Sequence, residues 1–169
     1  EHYIKNALAA VCAAQEMGVS LRDAARAVEN FKGVWRRFNT VGLVGGVEVI
    51  DDFAHNPHNA EATLKAAHLR GKRVLAFFQP HAFTSVQLLS EEFIDCFSKN
   101  IGPHDYLWLG EIYYAGGTVP KGVSSKIIYE GVKARGGNIK FMASRDETAR
   151  DIAAAAQEGD VILVMGARD

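Results

Sequence analysis

The sequence is poor in cysteine, in long apolar runs and in excess charge of either sign. Its 169 residues include 2 cysteines, Cys12 and Cys96, in apolar-periodic surroundings, so buried free thiols are expected rather than a disulfide. The longest apolar runs, such as Val161–Met165, are too short to span a bilayer. The chain has 19 basic and 20 acidic residues with no basic block, so neither nucleic acid nor a membrane is an expected partner.

Two nucleotide-binding motifs and an initiator methionine are also absent. No G-x-x-x-x-G-K-[ST] and no G-x-G-x-x-G occurs, so these residues by themselves lack a cradle for a nucleoside triphosphate. The chain begins with Glu1 rather than methionine, and an ordinary helical pattern follows instead of a signal peptide. We therefore expect a fragment of a longer protein or a processed chain.

The first part of the chain has a helical pattern. Residues 3–17 are alanine-rich with apolar residues at helical spacing, Gly18 ends that helix, and Ser20 caps a second one. Their short connection predicts a helical hairpin. The segment FKGVWRRF, residues 31–38, breaks the helical period and is interpreted as a linker, with a domain boundary between residues 38 and 39.

From Thr40 onwards, predicted strands alternate with predicted helices. The strands are VGLVGGVEVI, which is one strand or a hairpin turning at Gly45–Gly46, and then RVLAFF, DYLWLGEI, NIKFMA and DVILVMGA. The helices are expected at about residues 59–69, 86–100, 124–135 and 147–157. This alternation predicts an α/β domain with a mostly parallel, Rossmann-like sheet and helices on both faces.

Ligands of open parallel sheets bind beyond the carboxyl ends of the strands, so the loops there are the candidate site. In the loop DDFAHNPHN, an aspartate at position 51 or 52 either caps the next helix or accepts hydrogen bonds from sugar hydroxyls. His55 and His58 lie three apart, but the sequence fixes no third ligand, and no metal site is predicted. Asn56–Pro57 is a normal turn leading into a helix.

Two further segments carry polar groups. The adjacent arginines of GVWRRF are either solvated or bind a phosphate or carboxylate through the guanidinium fork. The segment FQPHAFT brings Gln79, His81 and Thr84 to the end of a strand, where a lone histidine is more often structural than catalytic. These patterns assign no catalytic residue.

In order along the chain, six segments resemble the C-terminal part of the Mur ligases, the ATP-dependent amide-forming enzymes of peptidoglycan precursor synthesis. They are EHYIKNALAA, FKGVWRRF, IDDFAHNPHNAEATLKA, RVLAFFQPHAFT, GEIYYAGG and DVILVMGARD, and they span essentially the whole chain. The resemblance implies that residues 1–38 are the last helices of a central ATPase domain plus linker. It also implies that residues 39–169 form the C-terminal Rossmann-like domain of a bacterial, cytoplasmic enzyme.

The resemblance implies a ligase that joins an amino acid or peptide to the carboxylate of UDP-N-acetylmuramate, using ATP and Mg²⁺ bound mainly by the central domain. By the same resemblance, Asn6 helps to hold the adenine, Arg37 contacts the nucleotide and Asp52 binds the ribose hydroxyls. His55 and His81 are expected to hold the acceptor. Without the central domain, the fragment is expected to be inactive.

Departures from the family pattern leave the acceptor open. Tyr3 stands where the family often has an asparagine, and HAFTS, residues 81–85, lacks both arginines of the family's HRYTR, which are natural partners for a carboxylate. Asn56 replaces the second histidine of HHP, and Arg168 replaces a glycine of MGAGD. We assign Asn56, Thr84 and Arg168 to substrate binding, with Arg168 as a replacement for the lost positive charge.

Two alternatives remain open at the level of sequence. One is a non-catalytic module that binds a nucleotide or an amino acid, and the other is a folate-type ligase of the same superfamily. The FQPH segment argues against the folate-type ligase by resemblance. An upstream G-x-x-G-K-[ST] motif would favour the ligase, whereas a start codon directly before residue 1 would favour the module.

Overall fold

A computed structural model of the chain describes residues 2–114 and 122–167. The chain forms two compact units, Glu1–Val34 and Trp35–Asp169. No helix within the described ranges is long and apolar enough to cross a membrane. Both cysteines are free, but only Cys96 is buried, where burial raises its thiol pKa to about 12. Cys12 is exposed, so the expectation of two buried thiols is wrong for that residue.

The first unit contains the predicted helical hairpin. Its helices are α1 (His2–Glu16) and α2 (Leu21–Glu29), and they pack against each other. Gly18 follows α1 with a φ of +88°, a left-handed backbone that costs glycine little. Ser20 caps α2, because its hydroxyl oxygen accepts a hydrogen bond from the backbone N–H of Asp23. The hairpin prediction is confirmed.

The second unit alternates strands and helices. Its elements are β1 (Asn39–Val44), β2 (Val47–Asp52), α3 (Pro57–Ala67), β3 (Arg73–Gln79), α4 (Phe83–Asn100), β4 (Tyr106–Leu109), α5 (Lys126–Ala134), β5 (Ile139–Phe141), α6 (Arg145–Ala155) and β6 (Asp160–Gly166). The strands form one sheet in the order β1-β2-β6-β3-β4-β5. Every pair is parallel except β1 with β2.

The strands β1 and β2 form a hairpin, which is one of the two alternatives that the sequence left open for this segment. Gly45 and Gly46 have φ values of +58° and +74°, and two successive positive φ values are what a tight two-residue hairpin turn requires. The strand β1 therefore lies antiparallel at the edge of an otherwise parallel sheet. The predicted fold class, a mostly parallel Rossmann-like sheet after a helical hairpin, is confirmed.

Helices cover both faces of the sheet because the strand order reverses once. From β2 to β5 the strands progress in one direction, and right-handed crossovers keep α3, α4 and α5 on one face. The connection from β5 to β6 runs back, which sends α6 to the opposite face. The larger core lies under α3, α4 and α5. It includes Ile50, Leu64, Phe78, Phe93, Phe97, Ile128 and Leu163. A smaller core under α6 contains Leu75, Trp108 and Ile152.

Three helices begin two or three residues earlier than the sequence predicts. The helix α3 begins at Pro57, α4 at Phe83 and α6 at Arg145. For α3 and α6 the reason is capping, since the preceding Asn56 and Ser144 side chains accept hydrogen bonds from backbone N–H groups in the first turn. One consequence is a correction: Thr84, predicted in a loop, lies in the first turn of α4.

Candidate functional site

The segment before β1 folds back onto the loop that follows β2. The carbonyl oxygen of Arg36 accepts a hydrogen bond from the Phe53 N–H at 2.8 Å, and the Phe38 N–H donates to Asp52 Oδ2 at 2.7 Å. Arg36 and Phe38 have φ values of +57° and +54°, a left-handed backbone that non-glycine residues seldom adopt. Arg37 lies between them, and its guanidinium carbon is 5.1 Å from the centre of the Phe53 ring.

Arg36, the first arginine of this segment, forms hydrogen bonds to two strands of the sheet. Arg36 Nε donates to Asp51 Oδ2 at 3.0 Å, and its Nη2 donates to the carbonyl oxygen of Gly166 at 2.9 Å. Both partners of the ion pair are largely buried, with side-chain exposures of 13% and 19%. The sequence left open whether the adjacent arginines are solvated or bind a phosphate or carboxylate. Arg36 is not solvated, because it binds the carboxylate of Asp51. The ion pair joins the segment before β1 to the carboxyl end of β2, and the hydrogen bond to Gly166 joins it to the carboxyl end of β6.

Asp52 organises the loop after β2 from inside the protein. It is only 3% exposed, and its Oδ1 accepts hydrogen bonds from the Ala54 N–H at 2.8 Å and the Thr63 hydroxyl at 3.2 Å. Burial raises the pKa of this carboxyl, against the lowering effect of hydrogen bonds from Phe38 and Ala54. Asp52 does not cap α3, because Asn56 occupies that position.

Three other predicted residues have local partners: Arg37 before β1, and His55 and Asn56 in the loop after β2. Arg37 is exposed, and its backbone N–H donates to Asn39 Oδ1 at 2.9 Å. His55 is half-buried, with Nδ1 3.0 Å from the carbonyl oxygen of Phe53. Asn56 Oδ1 accepts the Asn59 N–H at 2.9 Å, which gives Asn56 a structural role at the start of α3.

His81 and Thr84 follow the neighbouring strand β3. His81 pairs with Tyr113 in an isolated parallel bridge, and their rings are stacked with centroids 6.4 Å apart. Thr84 is exposed on α4. Between them Ala82 has a φ of +69°, a left-handed conformation unusual for a residue with a β-carbon. The turn therefore brings His81 towards the loop after β4, whereas Thr84 faces away into solvent at the helix start.

Two more residues were predicted to bind a ligand. Asn6 is exposed on α1 of the first unit, and Arg168 lies outside the described residues. Within residues 2–114 and 122–167, no group of three histidine, cysteine, aspartate or glutamate side chains could hold a metal ion. We therefore derive no chemical step through a metal held by the described residues.

A cavity of about 230 Å³ opens at the carboxyl ends of β2, β6 and β3. Its walls are Arg36, Asp51, Phe77, Gln79, Arg145, Val164, Met165 and Gly166. None of these was assigned to binding from the sequence, although Asp51, Gln79 and Gly166 carry the signal of a strand end. Arg145 follows the carboxyl end of β5 by four residues, at the start of α6, so it carries a weaker signal of the same kind.

A parallel sheet covered on both faces, with polar side chains at the carboxyl ends of adjoining strands, defines a Rossmann-like ligand-binding domain. A family model described as "Mur ligase, glutamate ligase domain" matches residues 36–168. The chain belongs to the Mur ligase family.

Characterised relatives match over nearly the whole chain. The UDP-N-acetylmuramate–L-alanine ligase of Pelotomaculum thermopropionicum is 38% identical over 170 residues, covering 99% of this chain and 36% of that protein. The enzyme of the same name from Gloeobacter violaceus is 37% identical over 166 residues, covering 98% and 35%. The chain thus spans about a third of the length of these relatives.

Two solved structures are also similar. The UDP-N-acetylmuramate–alanine ligase of Thermotoga maritima superposes with a TM-score of 0.76 at 28% identity, covering 99% of this chain and 35% of that one. A murein peptide ligase from Psychrobacter arcticus gives a TM-score of 0.69 at 27% identity, covering 98% and 34%. Enzymes named for an amino acid and for a peptide acceptor therefore share this fold.

Proposed function

We propose that this chain is the C-terminal part of an ATP-dependent ligase that joins an amino acid or peptide to the carboxylate of UDP-N-acetylmuramate in the bacterial cytoplasm. One observation carries the proposal: the family match covers residues 36–38 and the loops after β2 and β3, and these lie at one edge of the sheet. Relatives that are UDP-N-acetylmuramate–L-alanine ligases cover the same residues.

The proposed reaction has two steps. ATP transfers its γ-phosphoryl group to the carboxylate of UDP-N-acetylmuramate, which forms an acyl phosphate and ADP. The amine of the acceptor then attacks the acyl carbon, loses a proton and displaces inorganic phosphate, leaving an amide. Phosphoryl transfer of this kind depends on positioning and on neutralising charge, with Mg²⁺ on the phosphates. We assign positioning to this chain and phosphoryl transfer to parts of the protein that carry a phosphate-loop motif.

We assign the binding roles of individual residues from their exposure and their hydrogen-bond partners. The exposed guanidinium of Arg37 is positioned to meet a nucleotide, since it lies against the face of the Phe53 ring while the hydrogen bond to Asn39 Oδ1 is donated by the Arg37 backbone N–H. We keep Asp52 as the ribose ligand and Asn6 as the adenine ligand as predictions. Three hydrogen bonds occupy Asp52, and a carboxylate has about four acceptor positions, so one is left for a hydroxyl. His55 and His81 remain our candidates for holding the acceptor.

The deciding experiment measures phosphate release by the full-length protein that carries this chain. UDP-N-acetylmuramate and ATP are supplied with L-alanine, with other amino acids or with the murein tripeptide. Turnover with one acceptor class establishes the ligase and identifies that class. Nucleotide binding without turnover for any acceptor favours the non-catalytic module, and turnover only with a folate and glutamate favours the folate-type ligase.

Arg37→Ala tests the nucleotide role in the same protein. We expect the KM for ATP to rise about tenfold or more, because a charge-assisted contact is worth about 1.5–3 kcal/mol. The melting temperature should stay unchanged because Arg37 is exposed. Arg22→Ala, an exposed arginine on α2, is the control. An unchanged KM for ATP in Arg37→Ala would contradict the role. The 169-residue chain alone should not ligate, and measurable ligation by it would contradict the assignment of phosphoryl transfer to other parts of the protein.

A further inference from the structure

The first residues after β4 continue alongside the chain that follows β3. The Gly110 N–H donates to the carbonyl oxygen of Phe78 at 2.9 Å, and the Tyr113 N–H donates to that of Pro80 at 2.8 Å. Tyr113 also forms the parallel bridge with His81, and the two rings are stacked. The place of Tyr113 beside His81 therefore depends on how firmly the segment after β4 is held.

Glu111 lies in this segment, and its carboxylate binds the residues directly before α5. Its Oε2 accepts a hydrogen bond from the Ser124 hydroxyl at 2.7 Å, and its Oε1 accepts the Ser125 N–H at 3.0 Å. Oε1 also accepts the Ile112 N–H at 2.8 Å, and the Glu111 carbonyl oxygen accepts Gln79 Nε2 at 2.9 Å. One residue thus joins the segment after β4 to β3 and to the start of α5.

These hydrogen bonds keep Glu111 ionised at neutral pH. Burial opposes ionisation of this carboxyl, but the hydrogen bonds from Ser124, Ser125 and Ile112 together lower its pKa below the ordinary value. Hydrogen bonds to an ionised acceptor are about twice as strong as neutral ones. Glutamine at this position would lose the charge and replace one acceptor oxygen with an N–H donor, so at least one of these partners would lose its acceptor.

Stability of α5 alone does not explain this arrangement. The helices α2 and α6 are each capped by the serine directly before them, Ser20 and Ser144. Ser125 holds the same position before α5, but its side chain does not cap the helix. Its fully buried hydroxyl lies 2.7 Å from the carbonyl oxygen of Gly110 and 3.0 Å from Glu111 Oε1 instead. A local cap would stabilise α5 without binding the segment after β4, whereas the observed bonds hold that segment.

We propose that Glu111 is a positioning residue for the acceptor: it binds the segment after β4 to the start of α5 and so holds Tyr113 against His81. This inference rests on the proposed function, in which His81 holds the acceptor. Glu111 acts through these residues and does not touch the substrate, because donors from Ile112, Ser124 and Ser125 already surround its carboxylate.

Glu111→Gln in the full-length protein tests the role through the acceptor. We expect kcat/KM for the acceptor that supports turnover to fall about tenfold or more, because a small misplacement of a binding group can cost about a hundredfold. The KM for ATP should stay unchanged. Ser124→Ala removes one hydrogen bond from the same carboxylate and should give a smaller fall in the same direction.

Asp105→Asn is the matched control for a loss of stability. Asp105 is also a buried carboxylate that accepts backbone hydrogen bonds, but it lies at the amino end of β4, whereas Glu111 lies beyond the carboxyl end. The control should lower the melting temperature and leave kcat/KM for the acceptor unchanged.

NMR of the 169-residue chain measures the contact without turnover. The stacked Tyr113 ring shifts the ring-proton signals of His81. Glu111→Gln should move these signals towards the positions of an unstacked histidine, and Asp105→Asn should not. If Glu111→Gln does not fold, Ser124→Ala carries the same test with a smaller shift.

Three outcomes would contradict the role of Glu111. Unchanged His81 signals in the folded variant, or wild-type turnover with unchanged kcat/KM for the acceptor in Glu111→Gln, would overturn the inference and leave the ligase standing. An equal fall of kcat/KM in Asp105→Asn would attribute the effect to stability and overturn it as well. A wild-type protein that turns over no acceptor would instead reject the proposed function, and the role of Glu111 with it.

Discussion

Single buried polar residues hold the loops around the sheet, and Asp105 is one of them. It is 5% exposed and accepts hydrogen bonds from the N–H groups of Val74 at 2.7 Å and Gly102 at 2.8 Å. Its Oδ2 is also 2.8 Å from His68 Nε2. Burial opposes ionisation of this carboxyl, but the hydrogen bonds together lower its pKa below the ordinary value.

Asp105 should therefore make the stability of the second unit sensitive to acid. Because its pKa is lower in the folded state, its stabilisation is complete above about pH 4, the ordinary aspartate pKa, and is lost as the pH falls through the folded value. Asp105→Asn should lower the free energy of unfolding at pH 7 by about 2 kcal/mol and flatten the loss in acid. Urea unfolding at several pH values measures both effects, with exposed Glu130→Gln as the control. An unchanged acid dependence would contradict this assignment.

Asn56, assigned to substrate binding from the sequence, has a measurable structural role. Asn56→Ala should destabilise the protein by about 1 kcal/mol, since it removes the N-cap of α3. Asn56→Asp keeps a capping oxygen and should keep the melting temperature. If Asn56 also contacts the acceptor, Asn56→Asp should raise the acceptor KM in the full-length enzyme. A KM that stays constant in this stable variant would leave capping as its only role.

At the scale of elements, the start of α4 carries backbone strain. Ala82, the residue before this helix, has a φ of +69°, which costs a residue with a β-carbon about 1–3 kcal/mol. Ala82→Gly should therefore raise the free energy of unfolding by about 1 kcal/mol. Ala149→Gly, an exposed site inside α6, should instead lower it by about 1 kcal/mol. Thermal unfolding compares the two, and destabilisation by both would show that position 82 is unstrained.

The positions of residues within helices, strands and loops explain why some site residues can be predicted from the sequence and others cannot. The loops after β2 and β3 were predicted as candidate sites because polar residues directly follow buried strands, and both lie at the carboxyl edge. Thr84 was misassigned to a loop, because the start of α4 has no side-chain cap that could have revealed it. Arg145 also follows a strand, since it lies four residues after β5, but the short segment between β5 and α6 is not rich in groups that could bind a ligand, so the sequence gives no reason to select it.

At the scale of the whole molecule, the boundary between the units is testable. The sequence predicts a boundary between residues 38 and 39, whereas the second compact unit begins at Trp35. Arg36 bonds to Asp51 and Gly166, and the Phe38 backbone bonds to Asp52. We propose that residues 35–169 form one folding unit and that residues 39–169 lack part of it.

A protein spanning residues 39–169 should unfold at a clearly lower temperature than one spanning residues 35–169. The shorter chain removes the Arg36 partner of the partly buried Asp51 and the Phe38 N–H that donates to the buried Asp52. Each lost charged hydrogen bond costs about 1.5–3 kcal/mol. Calorimetry of the two proteins measures the difference. Equal melting temperatures would support the boundary that the sequence predicts.

The sequence by itself determined the fold class, the hairpin of helices and the family, because hydrophobic periodicity and motifs such as WRRF, DDFAH and FQPH are local properties of the chain. It also indicated the correct edge of the sheet, since parallel strands bring their carboxyl ends together. Only the tertiary structure decided which carboxylate is buried and which lines the cavity, since neighbouring residues of a strand point to opposite faces. It alone brought Arg36 and Arg145 to one cavity, because their approach depends on the order of the strands, which places β6 between β2 and β3 and is not a local property of the sequence.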